Sequence, residues 1–162
     1  MLETERTMLQ APTEADYEAI CRVFSNEESR AHLGGPVKPE HYDQKFKDML
    51  TAKKPSCFWI IREKQSGECM GVVSIDLYHD GIHYELSYEL LPQFWGKGFG
   101  SEVAIEVLRY GFKELSLGKI YAETQTKNLA SVKLLGKIGM TFVEEIERFG
   151  EMQSVFIIQA KD

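Results

Sequence analysis

Cysteine is scarce in this chain, with only Cys21, Cys57 and Cys69 among 162 residues. The number is odd, no two form a C-x-x-C pair, and no histidine stands near them at ligand spacing. Neither a disulfide framework nor a metal site is therefore expected. Buried thiols in a reducing compartment fit such sparse usage. Long apolar runs are lacking too: none approaches the roughly 18 residues that a spanning helix needs. The opening M-L-E-T-E-R-T is charged where a secretory leader is apolar, so a soluble, cytoplasmic protein without a membrane partner is expected. Nor is there an excess of basic charge, since 19 Lys and Arg face 25 Asp and Glu, for a net charge of −6 and a pI near 5.3. Nucleic acid and anionic membranes both demand a basic footprint and are not expected partners. A cationic substrate suits this charge better. Linkers, internal repeats and low-complexity tracts are all missing. With 43% hydrophobic residues the chain can build one core but not two ordinary domains, so a single domain over residues 1–162 is expected.

What the chain does have is short periodic segments between sharp turns. Residues 5 to 10 read as a strand, and Thr13 with Asp16 as a helix cap and its reciprocal partner. Tyr17, Ile20, Cys21 and Phe24 then recur at helical spacing. Gly34, Gly35 and Pro36 break the chain before a second helix over about Glu40 to Ala52. Phe58 to Glu63, Met70 to Leu77 and Tyr84 to Leu91 read as consecutive antiparallel strands. Ala104, Val107, Leu108, Gly111, Phe112 and Leu115 keep a helical period, and Lys119 to Gln125 reads as a strand, which gives one right-handed parallel crossover. Asn128 caps a short helix to Ile138. Thr141 to Arg148 and Ser154 to Gln159 form a last hairpin. The order is β-α-α-β-β-β-α-β-α-β-β, an α+β domain on a mostly antiparallel sheet.

Between the third of those consecutive strands and the long helix stands Q-F-W-G-K-G-F-G-S, with Gly96, Gly98 and Gly100 at every second position. Glycines at a strand-to-helix junction expose a row of main-chain N–H groups at the positive end of a helix dipole, which suits a pyrophosphate. A dinucleotide fingerprint needs G-x-G-x-x-G, and although Glu123 lies at a tempting distance, the spacing and the antiparallel strands before it do not match. A Walker loop fails because its Gly-Lys pair, Gly96-Lys97, is not followed by a hydroxyl residue.

W-G-K-G-F-G-S-E-V, followed by a helix, a strand and N-L-A-S-V-K-L-L-G-K-I-G-M, resembles the acetyl-CoA site of the GNAT superfamily of N-acetyltransferases. L-E-T-E-R-T-M-L and E-L-S-Y-E-L-L-P-Q-F-W-G-K-G resemble, further, the RimJ/RimL-like branch named for ribosomal-protein N-terminal acetylation. The resemblance implies a seven-stranded, mostly antiparallel sheet flanked by helices, with splayed central strands. It implies acetyl-CoA as co-substrate, its pantetheine arm against the backbone of Leu90 and Leu91. The pyrophosphate would rest on N–H groups from Lys97 through Gly98, Phe99 and Gly100 to Ser101. Asn128 and Ser131 are further cofactor contacts by the same resemblance. Trp95 stands where many relatives begin this loop with Arg or Gln. Leu135 stands where many carry the tyrosine that protonates the leaving thiolate, and Ser131 is the replacement that the branch suggests.

The attacking amine must shed a proton, because a free alkylamine is mostly charged at pH 7. Glu85, Ser87 and Glu89 alternate onto one strand face, with Leu86, Tyr88 and Leu90 on the other. Glu85 matches the acidic position of the branch and is the first choice of base. Glu89 or Tyr88 turned inward by a bulge would meet the substrate instead, and Asp76 is a weaker alternative. His79 and His83 flank one turn and read as exposed; Phe58, Trp59 and Tyr121 read as core. Cys57 and Cys69 lack a partnered base, so direct attack in a ternary complex is expected rather than a covalent acetyl-enzyme. The acceptor is a small-molecule amine or a protein N-terminus, shaped by the segment from Glu27 to Ala52. A homodimer stays open, as does a second reading, a non-catalytic acyl-CoA-binding or regulatory module.

Overall fold

The computed structural model describes residues 1–161. Eight strands form one sheet: β1 (Leu2–Glu3), β2 (Thr7–Gln10), β3 (Cys57–Glu63), β4 (Cys69–Leu77), β5 (Tyr84–Leu90), β6 (Lys119–Gln125), β7 (Thr141–Arg148) and β8 (Glu151–Gln159). Four helices flank it: α1 (Tyr17–Ser25), α2 (Tyr42–Thr51), α3 (Phe99–Lys113) and α4 (Leu129–Lys137). The seven expected strands are all present, and the count is corrected to eight by β1. Two residues are too few to show a period; β1 exists because the chain folds back to pair Leu2 with Leu9.

The lateral order is β1-β2-β3-β4-β5-β6-β8-β7, antiparallel throughout except at the centre. There β5 and β6 run parallel and pair only at Tyr84 with Ile120 and Glu85 with Tyr121. Beyond these pairs the strands part, while β5 keeps its register on β4 out to Leu90 and β6 keeps its register on β8 out to Gln125. A fork opens at the middle of the sheet, lined by main-chain groups that no strand covers.

Register sorts the side chains onto two faces. Val73, Ile75, Leu86, Tyr88 and Leu90 share the face that packs on α3, where Trp59 meets Tyr110 edge-on at 5.3 Å. Val72, Ser74, Asp76, Glu85, Ser87 and Glu89 share the opposite face, toward α1 and α2. No bulge interrupts β5, so the strict alternation read from the sequence holds along it.

Gly71 on β4 has φ 154°, and a Cβ there would lie 1.9 Å from the carbonyl oxygen of Glu89. Only glycine lets β4 come this close to the end of β5. Before α1, Asp16 accepts from the Thr13 N–H at 2.8 Å and from Arg62 at 2.6 Å, so the predicted cap also ties the helix start to β3.

Candidate active site

α3 starts where the glycine loop ends. Gly98 caps it with φ 83°, a left-handed conformation that strains any other residue, and the Glu102 N–H closes the first turn on the Gly98 carbonyl. The N–H groups of Phe99, Gly100 and Ser101 precede that first helical bond and have no helical acceptor. They open into a groove of about 950 Å³ that runs along the fork, walled by Leu86, Tyr88, Leu90, Gly98, Asn128 and Ser131 among others. Phe99 itself is buried, so its offering is main chain alone. Lys97 is exposed and off the groove wall. Arg6, which the sequence did not single out, holds the loop from behind. Its Nε donates to Glu102 at 2.9 Å, its Nη1 donates to the Lys97 carbonyl at 2.9 Å, and its guanidinium lies 4.0 Å over the Phe99 ring.

The fork-facing main chain is narrower than the sequence suggested. The Leu91 N–H donates to Met70 O at 2.8 Å and the Leu91 carbonyl accepts from Phe94, so Leu91 is already engaged. An antiparallel ladder alternates its bonds, which leaves Tyr88 and Leu90 aimed into the fork. The Leu90 carbonyl already accepts from the Trp95 indole at 2.8 Å. The main-chain groups left facing the open fork are therefore those of Tyr88 and the Leu90 N–H, while those of Leu91 are bonded elsewhere.

On the α4 rim, Asn128 Oδ1 accepts from the Ser131 N–H at 3.3 Å as an N-cap. Ser131 Oγ lies 2.9 Å from the Tyr88 hydroxyl, which reaches across the fork from β5. Burial pushes the Tyr88 phenol above its ordinary range, with the Ser131 contact pulling against it. Leu135 is 1% exposed and packs in the core. Tyr88 thus brings a phenol hydroxyl from the facing strand to the α4 rim.

Across the sheet, a cavity of about 410 Å³ lies between α1, α2 and β5, walled by Phe24, Met49, Phe58, Asp76, Ser87 and Glu89. Phe58, expected as plain core, is a wall of this cavity. Glu89 accepts from Arg30 at 3.2 Å and Ser29 at 3.1 Å; burial raises its carboxyl while Arg30 and Ser29 oppose the rise. Arg30 also donates to the carbonyls of Leu33 and Gly35, which fastens the irregular segment around Gly34 over the site.

Glu85 is the last β5 residue paired to β6, at the apex of the fork. Burial foremost, then the charges of Glu123 and Asp76, push its carboxyl up to about 7, against the pull of Arg148. No hydrogen bond stabilises its ionised form among the described residues. It lines neither cavity, although its β4 partner Asp76 lines one and its neighbour Leu86 the other. Asp76 is occupied, accepting from Ser56 at 2.7 Å. His79, read as merely exposed, has Nε2 2.9 Å from Glu123, and His83 pairs with Asp80 and stacks on Tyr121. Burial raises the thiols of Cys57 and Cys69, which disfavours the thiolate that a covalent route needs.

Among the described residues no three His, Cys, Asp or Glu side chains gather as a metal site, and no helix is long and apolar enough to cross a membrane. A family model described as an acetyltransferase (GNAT) domain matches residues 6–141. The uncharacterized N-acetyltransferase YoaA of Bacillus subtilis (strain 168) is 34% identical over 145 residues, covering 86% of this chain and 81% of its own. A GNAT-family acetyltransferase structure from Bacillus anthracis superposes with TM-score 0.84 at 23% identity, covering 98% of this chain and 97% of the other. Spermidine N-acetyltransferase from Vibrio cholerae, in complex with CoA and spermine, superposes with TM-score 0.82 at 18% identity, covering 95% of each chain. The fork, the glycine cradle at its mouth and the family match agree: this chain belongs to the GNAT family and is an acetyltransferase.

Proposed function

We propose that this protein is an acetyl-CoA-dependent N-acetyltransferase of the RimJ/RimL-like branch, one domain over residues 1–162, which passes acetyl directly to a primary amine. The observation that carries this reading is the fork itself, with a base candidate at its apex and a hydroxyl pair on its rim. The positive end of α3 and the N–H groups of Phe99, Gly100 and Ser101 offer a seat for the donor's pyrophosphate. The Leu90 N–H and the main chain of Tyr88 hold the pantetheine arm as an added strand. One of these N–H groups polarises the acetyl oxygen.

Glu85, its carboxyl pushed up to about 7, accepts the proton that the incoming ammonium group must lose, through a water since it lines neither cavity. Raised by burial, Tyr88 keeps its hydroxyl proton at neutral pH, and with Ser131 it protonates the departing thiolate. The acceptor enters from the α1 and α2 side. A small amine, of the kind for which the Vibrio cholerae enzyme is named, and a protein N-terminus both present the required group.

The reading is tested by thiol release from acetyl-CoA against a panel of small amines and peptides. Release should be amine-dependent. Glu85→Gln and Tyr88→Phe should each lower kcat by roughly 10²-fold or more, the scale of lost general acid–base catalysis. Acetylated enzyme accumulating before product would refute direct transfer, and silence across the whole panel would refute the activity.

A further inference from the structure

The most unusual cluster outside the residues already given roles is built around Glu123. This carboxylate lies on β6, two residues past the last β5–β6 pair, on the same sheet face as Glu85. Its side chain is only 7% exposed, yet it carries four partners' worth of attention: Tyr78 Oη donates at 2.8 Å, His79 Nε2 lies at 2.9 Å, Arg148 pairs with the second oxygen, and Glu85 faces it across the fork. Burying a carboxylate is costly unless donors and a cation compensate it, and here three residues from two distant parts of the chain converge to do so. Structural ion pairs do not need a site wall. Glu123 nevertheless lines the donor groove, where Glu85 does not.

We propose that Glu123 is a positioning residue of the transfer reaction: held on the groove wall by Tyr78, His79 and Arg148, it draws the acceptor's ammonium group into the fork beside Glu85. The proposal rests on the assignment of Glu85 as base. Two carboxylates on one face of a fork cannot both be ionised without cost, and their environments divide the labour. Arg148, Tyr78 and His79 all contact the Glu123 carboxylate directly, whereas no side chain hydrogen-bonds to Glu85 among the described residues, so Glu85 is the one left to accept a proton. The groups facing Glu85 are Asp76 on β4, Tyr121 and Glu123 on β6, Arg148 on β7, and Tyr78, His79 and His83 in the turn after β4. Lys45 and Asp48 of α2 face the same side from the acceptor cavity. Asp76 is held by Ser56, so Glu123 and Arg148 are the opposed charges that a substitution can remove cleanly.

The experiment is the pH profile of kcat/KM for a reactive amine with wild type, Glu123→Gln, Arg148→Gln and Glu85→Gln. Glu123→Gln should move the acid limb to lower pH by about one unit, because a like charge has gone, and should raise the amine KM several-fold. Arg148→Gln should move that limb the other way, because a compensating cation has gone. A single cooperative thermal unfolding transition serves as the folding check for both variants. If Glu85→Gln abolishes the limb while the other two variants leave its position and the amine KM unchanged, the role of Glu123 is refuted and the base assignment stands. If Glu85→Gln leaves the limb in place, the base assignment itself fails.

Discussion

Glu85 shows how much of a site one residue can record. A carboxyl whose ordinary value is 4.5 is held at about 7 by burial and by the neighbouring charges of Glu123 and Asp76. Its folded state therefore binds a proton more tightly than its unfolded state. The stability it contributes is fully present below the ordinary value and is lost as pH rises toward 7. Glu85→Gln, which needs no proton to stay neutral, should accordingly melt higher than wild type at pH 8, with the gap closing by pH 5. Thermal unfolding at the two pH values checks this, and a constant gap would refute it. Gain in stability with loss of turnover is the signature of a group retained for chemistry. Its position was legible from strand alternation and from the family's acidic position. The contacts that make it unusual were not, since Glu123, Tyr78 and Arg148 come from segments that only tertiary structure brings together. Tyr88 was likewise legible as a face of β5, but its meeting with Ser131 depends on how far the fork opens.

At the scale of elements, local rules did most of the work. The periods of α1, α3 and α4 and the turn residues between strands place most elements within a residue or two of where they lie, although β8 starts at Glu151, three residues before the expected Ser154. What local rules miss is the join: β1, too short to show a period, and Arg6 beside it, which reaches the glycine loop some 90 positions away in sequence. Two glycines separate packing from binding. Gly71→Ala would drive a Cβ into the backbone of Glu89, where nothing flexible can yield, and combines overlap with strain. It should cost roughly 3 kcal/mol, or about 6–12 °C in Tm for a domain of this size. Gly98→Ala meets only the end of the Arg6 side chain, at 3.4 Å, so its cost is the left-handed conformation, about 1–2 kcal/mol. Because that strain sits at the N-terminus of α3, the KM for acetyl-CoA should rise more than kcat falls. Melting curves and donor-titrated kinetics on the two variants distinguish them. Equal effects on both quantities would mean that the loop is no more a donor seat than β4 is.

At the scale of the molecule, the sheet is two units joined at a seam. β1 through β5 form one ladder and β6 through β8 another, and two pairs at Tyr84 and Glu85 are all that hydrogen-bond them. α3 crosses over and contacts β4, β5 and β6, and α4 packs on α3, β6 and β7, so side-chain packing holds the seam where backbone bonding stops. Such a division is what a ligand lying in the fork would repair: its amides would bond to Tyr88 and Leu90 on one side while its flank rests on α4 and the end of β6. Hydrogen exchange should report this directly. Saturating CoA should slow exchange at the glycine loop and also at the free edge of β5 and in α4, on both sides of the seam. At about 100 times its dissociation constant the ligand should add about 2.7 kcal/mol to global stability, raising Tm by roughly 5–10 °C. Protection confined to the residues from Gly96 to Ser101 would mean that only the pyrophosphate is held and the arm stays in solvent, which would leave the fork without its proposed occupant.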